Sequence, residues 1–149
     1  MRLTITTPLE IVVEAGDVVH LRAEDRTGGF GILTGHADFL TALAISVVSW
    51  RDRLGAEHHV AVRGGMLQVG GDAIAIATRE AVPGESLAQL ESEVLARFRR
   101  GVSEEQAARA DAQRLYLAAI RRILRYIRPD RVAPDAGAGV MARADGLDQ

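Results

Sequence analysis

The hydrophobic period of this sequence changes once, at Pro83-Gly84, and that change limits the chain to a β domain followed by a helical segment. Before it, apolar residues alternate with polar ones or form short runs. The runs are Leu3 and Ile5; Val18, Val19 and Leu21; Ile32 and Leu33; one or two more between Phe39 and Trp50; Val60 and Val62; Met66, Leu67 and Val69; Ile74 and Ile76. Successive side chains of a strand point to opposite faces, so each run can bury one face and wet the other. Gly64-Gly65 and Gly70-Gly71-Asp72 lie between runs and read as turns. Short strands spaced roughly ten residues apart predict an all-β sandwich as N-terminal domain, residues 1–84.

Past Gly84 the spacing becomes helical. Leu87, Leu90, Val94, Leu95 and Phe98 lay one apolar stripe along a helix. Ser86 with Gln89 has capping-box spacing, and Gly101 suits the left-handed residue that ends a helix. Ser103 with Gln106 repeats the box, Glu104 and Glu105 sit where the helix dipole is positive, and Pro129 ends this second helix. Only Gly101 and Val102 separate the two helices, so they are expected to fold back as an antiparallel α-helical hairpin over residues 85–131. Residues 132–149 have neither period nor core content and are expected to be a disordered tail.

Composition removes several functions. A chain of 149 residues has room for one ordinary domain plus an appendage. It contains no cysteine, which excludes disulfides, thiolate metal sites and a cysteine nucleophile. No apolar run approaches the roughly 18 to 20 residues that span a bilayer. Met1 to Thr7 lacks the apolar core of a secretory signal, so a soluble intracellular protein is expected.

All 18 basic residues are arginine. Residues 1–84 carry ten acids and seven arginines, residues 85–149 ten acids and eleven arginines, so a mildly acidic sandwich precedes a locally basic segment. The second helix, from about residue 104 to 128, carries Tyr116, Ile120, Ile123 and Ile127 as one stripe. Arg114, Arg121, Arg122, Arg125 and Arg128 share that helix, with no acid from Ala112 to Arg128. Five uncompensated arginines repel one another, which an acidic partner would relieve; a solvated face accounts for them equally well.

No catalytic constellation is found. His58 and His59 are adjacent and would point to opposite faces of a strand, so no metal site is expected. Gly28-Gly29-Phe30-Gly31 lacks the lysine and hydroxyl residue of a phosphate-binding loop. The serines show no nucleophile-elbow setting, and aromatics at 4% are too few for a nucleic-acid stacking platform. Neither an enzyme nor a nucleic-acid binder is expected. A sandwich holding a small ligand under a helical lid remains the alternative.

Gly29-Phe30-Gly31-Ile32-Leu33-Thr34-Gly35-His36-Ala37 resembles the hallmark of the epsilon subunit of bacterial F-type ATP synthases (delta in mitochondria), and Val62-Arg63-Gly64-Gly65-Met66-Leu67-Gln68-Val69 is similar to that family's glycine-containing strand pair. The order of parts agrees over residues 1 to about 128. The resemblance implies a central-stalk rotor subunit without an active site, peripheral on the cytoplasmic face of the bacterial inner membrane and membrane-associated only through its complex. Its sandwich would bind the gamma subunit through His36, Thr41 and Leu33, and meet the c-subunit ring through Gly28, Gly29 and Phe30. When extended, its C-terminal helices would reach the beta and alpha catalytic subunits and inhibit ATP hydrolysis, with Arg114, Arg121, Arg122, Arg125 and Arg128 facing an acidic segment. Thr34 and Asp38 stand where the family usually has proline. The family's Ile/Leu-Asp-x-x-Arg-Ala pattern is absent, which leaves ATP binding by the hairpin without its motif, and no cofactor is expected.

Overall fold

The computed structural model describes residues 1–127; Arg128 and the expected tail at 132–149 lie outside them. Eight strands come first: β1 (Arg2–Thr6), β2 (Ile11–Ala15), β3 (Val18–Asp25), β4 (Gly28–Leu33), β5 (Phe39–Asp52), β6 (Glu57–Gly70), β7 (Ala73–Ala77) and β8 (Ala81–Gly84). A short α1 (Leu87–Gln89), a π-helical turn (Leu90–Val94) and α2 (Leu95–Ile127) complete the order.

β5 and β6, at 14 residues each, are long enough to serve both layers. Residues 39–43 of β5 pair with 65–69 of β6, and that half of β6 continues through β7 to β1 and β2. Residues 45–51 pair with 57–63, flanked by β3 and β4 on one side and β8 on the other. All neighbours run antiparallel except β1 and β7. Leu3, Ile5, Val18, Leu21, Ile32, Val48, Val60, Val62, Leu67, Ile74 and Ile76 close between the layers as one core. The alternating runs thus form the expected sandwich.

Gly64 and Gly65 are not a turn, as their sequence suggests, but the middle of β6, where the strand passes from one layer to the other. Their φ angles are +67° and +121°, and a Cβ on Gly65 would lie 2.2 Å from the Ala77 carbonyl oxygen. Glycine satisfies both the rare backbone angle and the close crossing of β7.

The helix starts as its cap predicts, with Ser86 Oγ accepting from the Gln89 N–H at 3.3 Å. Leu90, Val94, Leu95 and Phe98 cover Ala61, Ile45, Val47 and Val82 on the outer face of the second layer. In the π turn the Leu95 N–H donates to the Leu90 carbonyl, so residues five apart return to one face and both leucines reach the sheet. Gly84 leaves room for Leu90, whose Cδ2 would lie 2.9 Å from a Cβ there.

The turn expected at Gly101-Val102 is absent. Both residues are helical, and α2 runs without interruption to Ile127. A single glycine costs a helix interior only about 1 kcal/mol and does not stop it, whereas a proline would. Ser103, read as a cap, is an interior residue of α2. The chain divides into two compact units, residues 1–108 and residue 109 onward.

Candidate protein-interaction surfaces

The β3–β4 corner is built around Asp25. Its Oδ1 accepts from the Thr27 N–H (2.8 Å) and hydroxyl (2.6 Å), and its Oδ2 from the Thr41 hydroxyl (2.9 Å). These bonds favour the ionised carboxylate, the Thr27 hydroxyl foremost, and hold its pKa below the ordinary aspartate value. The corner tightens Arg26-Thr27 into the hairpin that presents Gly28, at φ +129°, and Gly29.

At the far end of β4 the chain turns through Leu33-Thr34-Gly35-His36. The His36 N–H donates to the Leu33 carbonyl (3.1 Å) and Gly35 takes φ +84°, as the third residue of a type II turn requires. His36 Nδ1 lies 2.7 Å from the Ala37 carbonyl, so this nitrogen carries the proton and the ring braces its own turn. An edge-to-face series extends from it, with His36 on Phe39 at 5.8 Å and Phe39 on Phe30 at 5.5 Å between centroids.

Leu33 is 61% exposed. Thr41 lies elsewhere, tied to Asp25 and so beside the Gly28 tip rather than beside Leu33. The three residues grouped as a gamma contact therefore fall at two ends of one sandwich edge, joined through Phe39.

The first layer presents a broader feature on its outer face. Thr4, Ala75, Gln68 and Leu40 form one row across β1, β7, β6 and β5, and Thr6, Ala77, Met66 and Ala42 the next. No charged residue stands in either row. Leu40 is 63% and Met66 45% exposed, and a depression of about 140 Å³ opens among these side chains. On the second layer the corresponding face is covered by Leu90, Leu95 and Phe98. Sequence reading missed this surface, although Ala73-Ile74-Ala75-Ile76-Ala77 signals it: isoleucine takes every inward position and alanine, not a charge, every outward one.

Elsewhere a cleft of about 320 Å³ is lined by His20, Arg22, Arg51 and His59, but also by Glu24, Glu57 and Glu91. Arg51 is already engaged by Glu57 at 2.7 Å, and this mixture of charges selects no anionic ligand. Among the described residues no group of three or more His, Cys, Asp or Glu is placed to hold a metal.

In the second unit Arg121, Arg122 and Arg125 lie close together along α2 with Ala118 and Tyr126, while Arg114 pairs with Asp111 at 3.4 Å. Tyr116, Ile123 and Ile127 of the apolar stripe are exposed.

Acid sensitivity arises from the carboxylates. Like Asp25, Asp52 is depressed, chiefly by the His58 hydrogen bond, and Glu57 by Arg51. A depressed folded-state pKa supplies stability that is whole above the ordinary carboxylate range, near pH 4, and is lost as pH falls through the folded values. Thermal midpoints should stay level down to about pH 5 and drop below pH 4, with a shallower acid limb in Asp25→Asn. An acid limb of unaltered slope in that variant would remove Asp25 from the explanation.

Comparison with known proteins converges. The family described as "ATP synthase, Delta/Epsilon chain, beta-sandwich domain" matches residues 1–84. ATP synthase epsilon chain 2 of Paraburkholderia xenovorans is 44% identical over 132 residues, 88% of this chain and 95% of that protein. ATP synthase epsilon chain 2 of Cereibacter sphaeroides is 41% identical over 128 residues, 85% and 88% of the respective chains. Among solved structures, a chain of the Euglena gracilis mitochondrial ATP synthase, from a structure of OSCP, F1 and c-ring, superposes with a TM-score of 0.54 at 24% identity. That match covers 70% of this chain and 62% of the other, and it speaks to the fold.

Proposed function

Because the chain belongs to the ATP synthase delta/epsilon family, we propose that it is a central-stalk rotor subunit of a rotary ATP synthase, coupling rotation of the c-subunit ring to ATP chemistry on other subunits. As an epsilon chain it is a non-catalytic subunit. The observation that carries the docking half of this reading is the uncharged outer face of the first layer. A rotor subunit must hold its stalk partner under torque, and a surface of uncharged side chains buries area without leaving charges unpaired.

In this reading the gamma subunit covers Leu40, Met66, Ala75 and Ala77 and continues to Leu33 and the His36 turn. Thr41 acts indirectly, by holding the Asp25 corner. The Gly28-Gly29-Phe30 tip meets the c ring, where glycine lets another backbone approach closely. Among the described residues no helix is long and apolar enough to cross a membrane, consistent with attachment through the complex. Binding to purified gamma subunit at micromolar concentration and moderate salt is the direct test, and its absence would sink the docking claim.

The second unit supplies the regulatory half. The arginines and exposed apolar stripe of residues 109–127 are suited to an acidic segment of a catalytic subunit. Removing residues 109–149 should leave gamma binding intact and raise ATP hydrolysis by the assembled complex several-fold. Unchanged hydrolysis would end the inhibitory claim and leave docking untouched.

A further inference from the structure

Resting on that regulatory reading, we infer that Arg63 is the positioning residue of a releasable clasp, through which Glu105 holds helix residues 95–108 against the sandwich. Arg63 pairs across strands with Ile45, and Ile45 belongs to the apolar patch under Leu90, Leu95 and Phe98. Its side chain therefore leaves the sheet on the helix-covered face, just past that patch. There its guanidinium Nη2 meets Glu105 Oε1 at 2.7 Å, and Nη1 lies 3.8 Å from Glu80. Arg79 reaches the other Glu105 oxygen at 3.5 Å, and Arg97 of the helix reaches Glu80 at 3.1 Å. Sheet and helix are thus stitched in both directions.

Gly101 completes the arrangement. A Cβ at that position would stand 3.7 to 3.8 Å from the Arg63 guanidinium, ordinary van der Waals contact, so the cation lies directly beside this turn of the helix. The glycine read from sequence as the end of a helix instead lies inside one, next to Arg63.

The clasp is built to open. Arg63 is only 15% exposed, and its Nε is buried without a hydrogen-bond partner. Closing it therefore carries a desolvation penalty that an apolar pair would not, and burial offsets much of the gain from ion pairing. Opening rehydrates Arg63, the one member of the cluster that is largely desolvated, so the cost of exposing the apolar helix face is partly returned. An apolar contact alone would hold the helix more tightly.

Hydrogen exchange on the full chain tests the clasp directly. Glu105→Gln, which leaves the buried Arg63 only its longer contact to Glu80 at 3.8 Å, should speed exchange across residues 95–108 by about tenfold or more while the core strands stay protected. The double variant Arg63→Met with Glu105→Leu should return exchange to the wild-type rate or below, and should lose the salt sensitivity of the wild type. Unchanged exchange in Glu105→Gln, or failure of the apolar pair to restore protection, overturns the clasp. ATP hydrolysis by the assembled complex reads the regulatory consequence: Glu105→Gln should lower it and the apolar pair raise it. If exchange responds and hydrolysis does not, the clasp stands and the inhibitory reading fails.

Discussion

Gly65→Ala is expected to be the most damaging conservative change in the sandwich, lowering stability by at least ~3 kcal/mol. At φ +121° an L-residue is strained whatever space surrounds it, and the new Cβ would lie 2.2 Å from the Ala77 oxygen and 2.9 Å from Thr78 Cα. Both obstacles are backbone, and neither can retreat. Ala77 is paired to Met66 on one side and to Thr6 on the other, and the Thr78 N–H donates to the Thr6 carbonyl at 2.9 Å. Relief would require opening the ladder through β7, which carries two core isoleucines.

Two neighbours calibrate the effect. Gly64, at φ +67° with 3.3 Å to the Leu43 carbonyl, should cost less when changed to alanine, about 1–2 kcal/mol. Gly70, with nothing within 4 Å, should tolerate alanine within about 0.5 kcal/mol. Urea or thermal unfolding of the three variants gives the order. A Gly65→Ala midpoint close to that of Gly70→Ala would show that the crossing of β6 is not the constraint inferred.

Ala75→Arg is expected to separate folding from docking. Ala75 is exposed at the centre of the uncharged face, between Thr4 and Gln68, so an arginine there can extend into water in the free chain. The free variant should melt within about 0.5 kcal/mol of the parent. Against the gamma subunit the new cation would be buried without a partner, which costs several kcal/mol in an apolar contact. A loss of at least about 100-fold in affinity, equivalent to ~2.7 kcal/mol, is the expected result in a titration. Glu14→Gln, at the margin of the same face beside Thr4, should change affinity only a few-fold, because a rim charge stays solvated. Equal affinity for Ala75→Arg and the parent would move the docking site elsewhere on the sandwich.

Several parts of this fold are legible without coordinates. The alternation at Leu3 and Ile5, and at Ile74 and Ile76, is read correctly because a strand with one buried face leaves a period of two. Ser86 is read correctly as a cap because the first amides of a helix need an acceptor wherever the helix later packs. β2 is harder, since Ile11, Val12 and Val13 form an apolar run in an edge strand that no layer fully covers. Gly64-Gly65 and Gly101 fail for one shared reason. Glycine marks permission for an unusual backbone angle or a close approach, and the sequence does not say whether the chain turns there, bulges, or admits a neighbouring side chain.

The interaction surfaces divide in the same way. The Leu33 to Ala37 motif and the arginine helix are visible because each is contiguous or helically periodic in sequence. The uncharged face is not, because its rows draw one residue from each of four strands, and only strand register brings Thr4, Ala75, Gln68 and Leu40 side by side.

Local chemistry therefore determined, from the amino-acid order alone, that this chain is a β domain followed by a helical segment, read as a two-helix hairpin, with an acid-free arginine stripe. Hydrophobic period and capping are properties of neighbours in sequence. Tertiary structure decided what each glycine does, that the helix passes through Gly101 with Arg63 beneath it, and that one layer keeps its outer face bare while the other is covered. Those outcomes depend on pairings between residues up to some seventy positions apart, such as Thr6 with Ala77, whose free energy comes from burial and register that no local window contains.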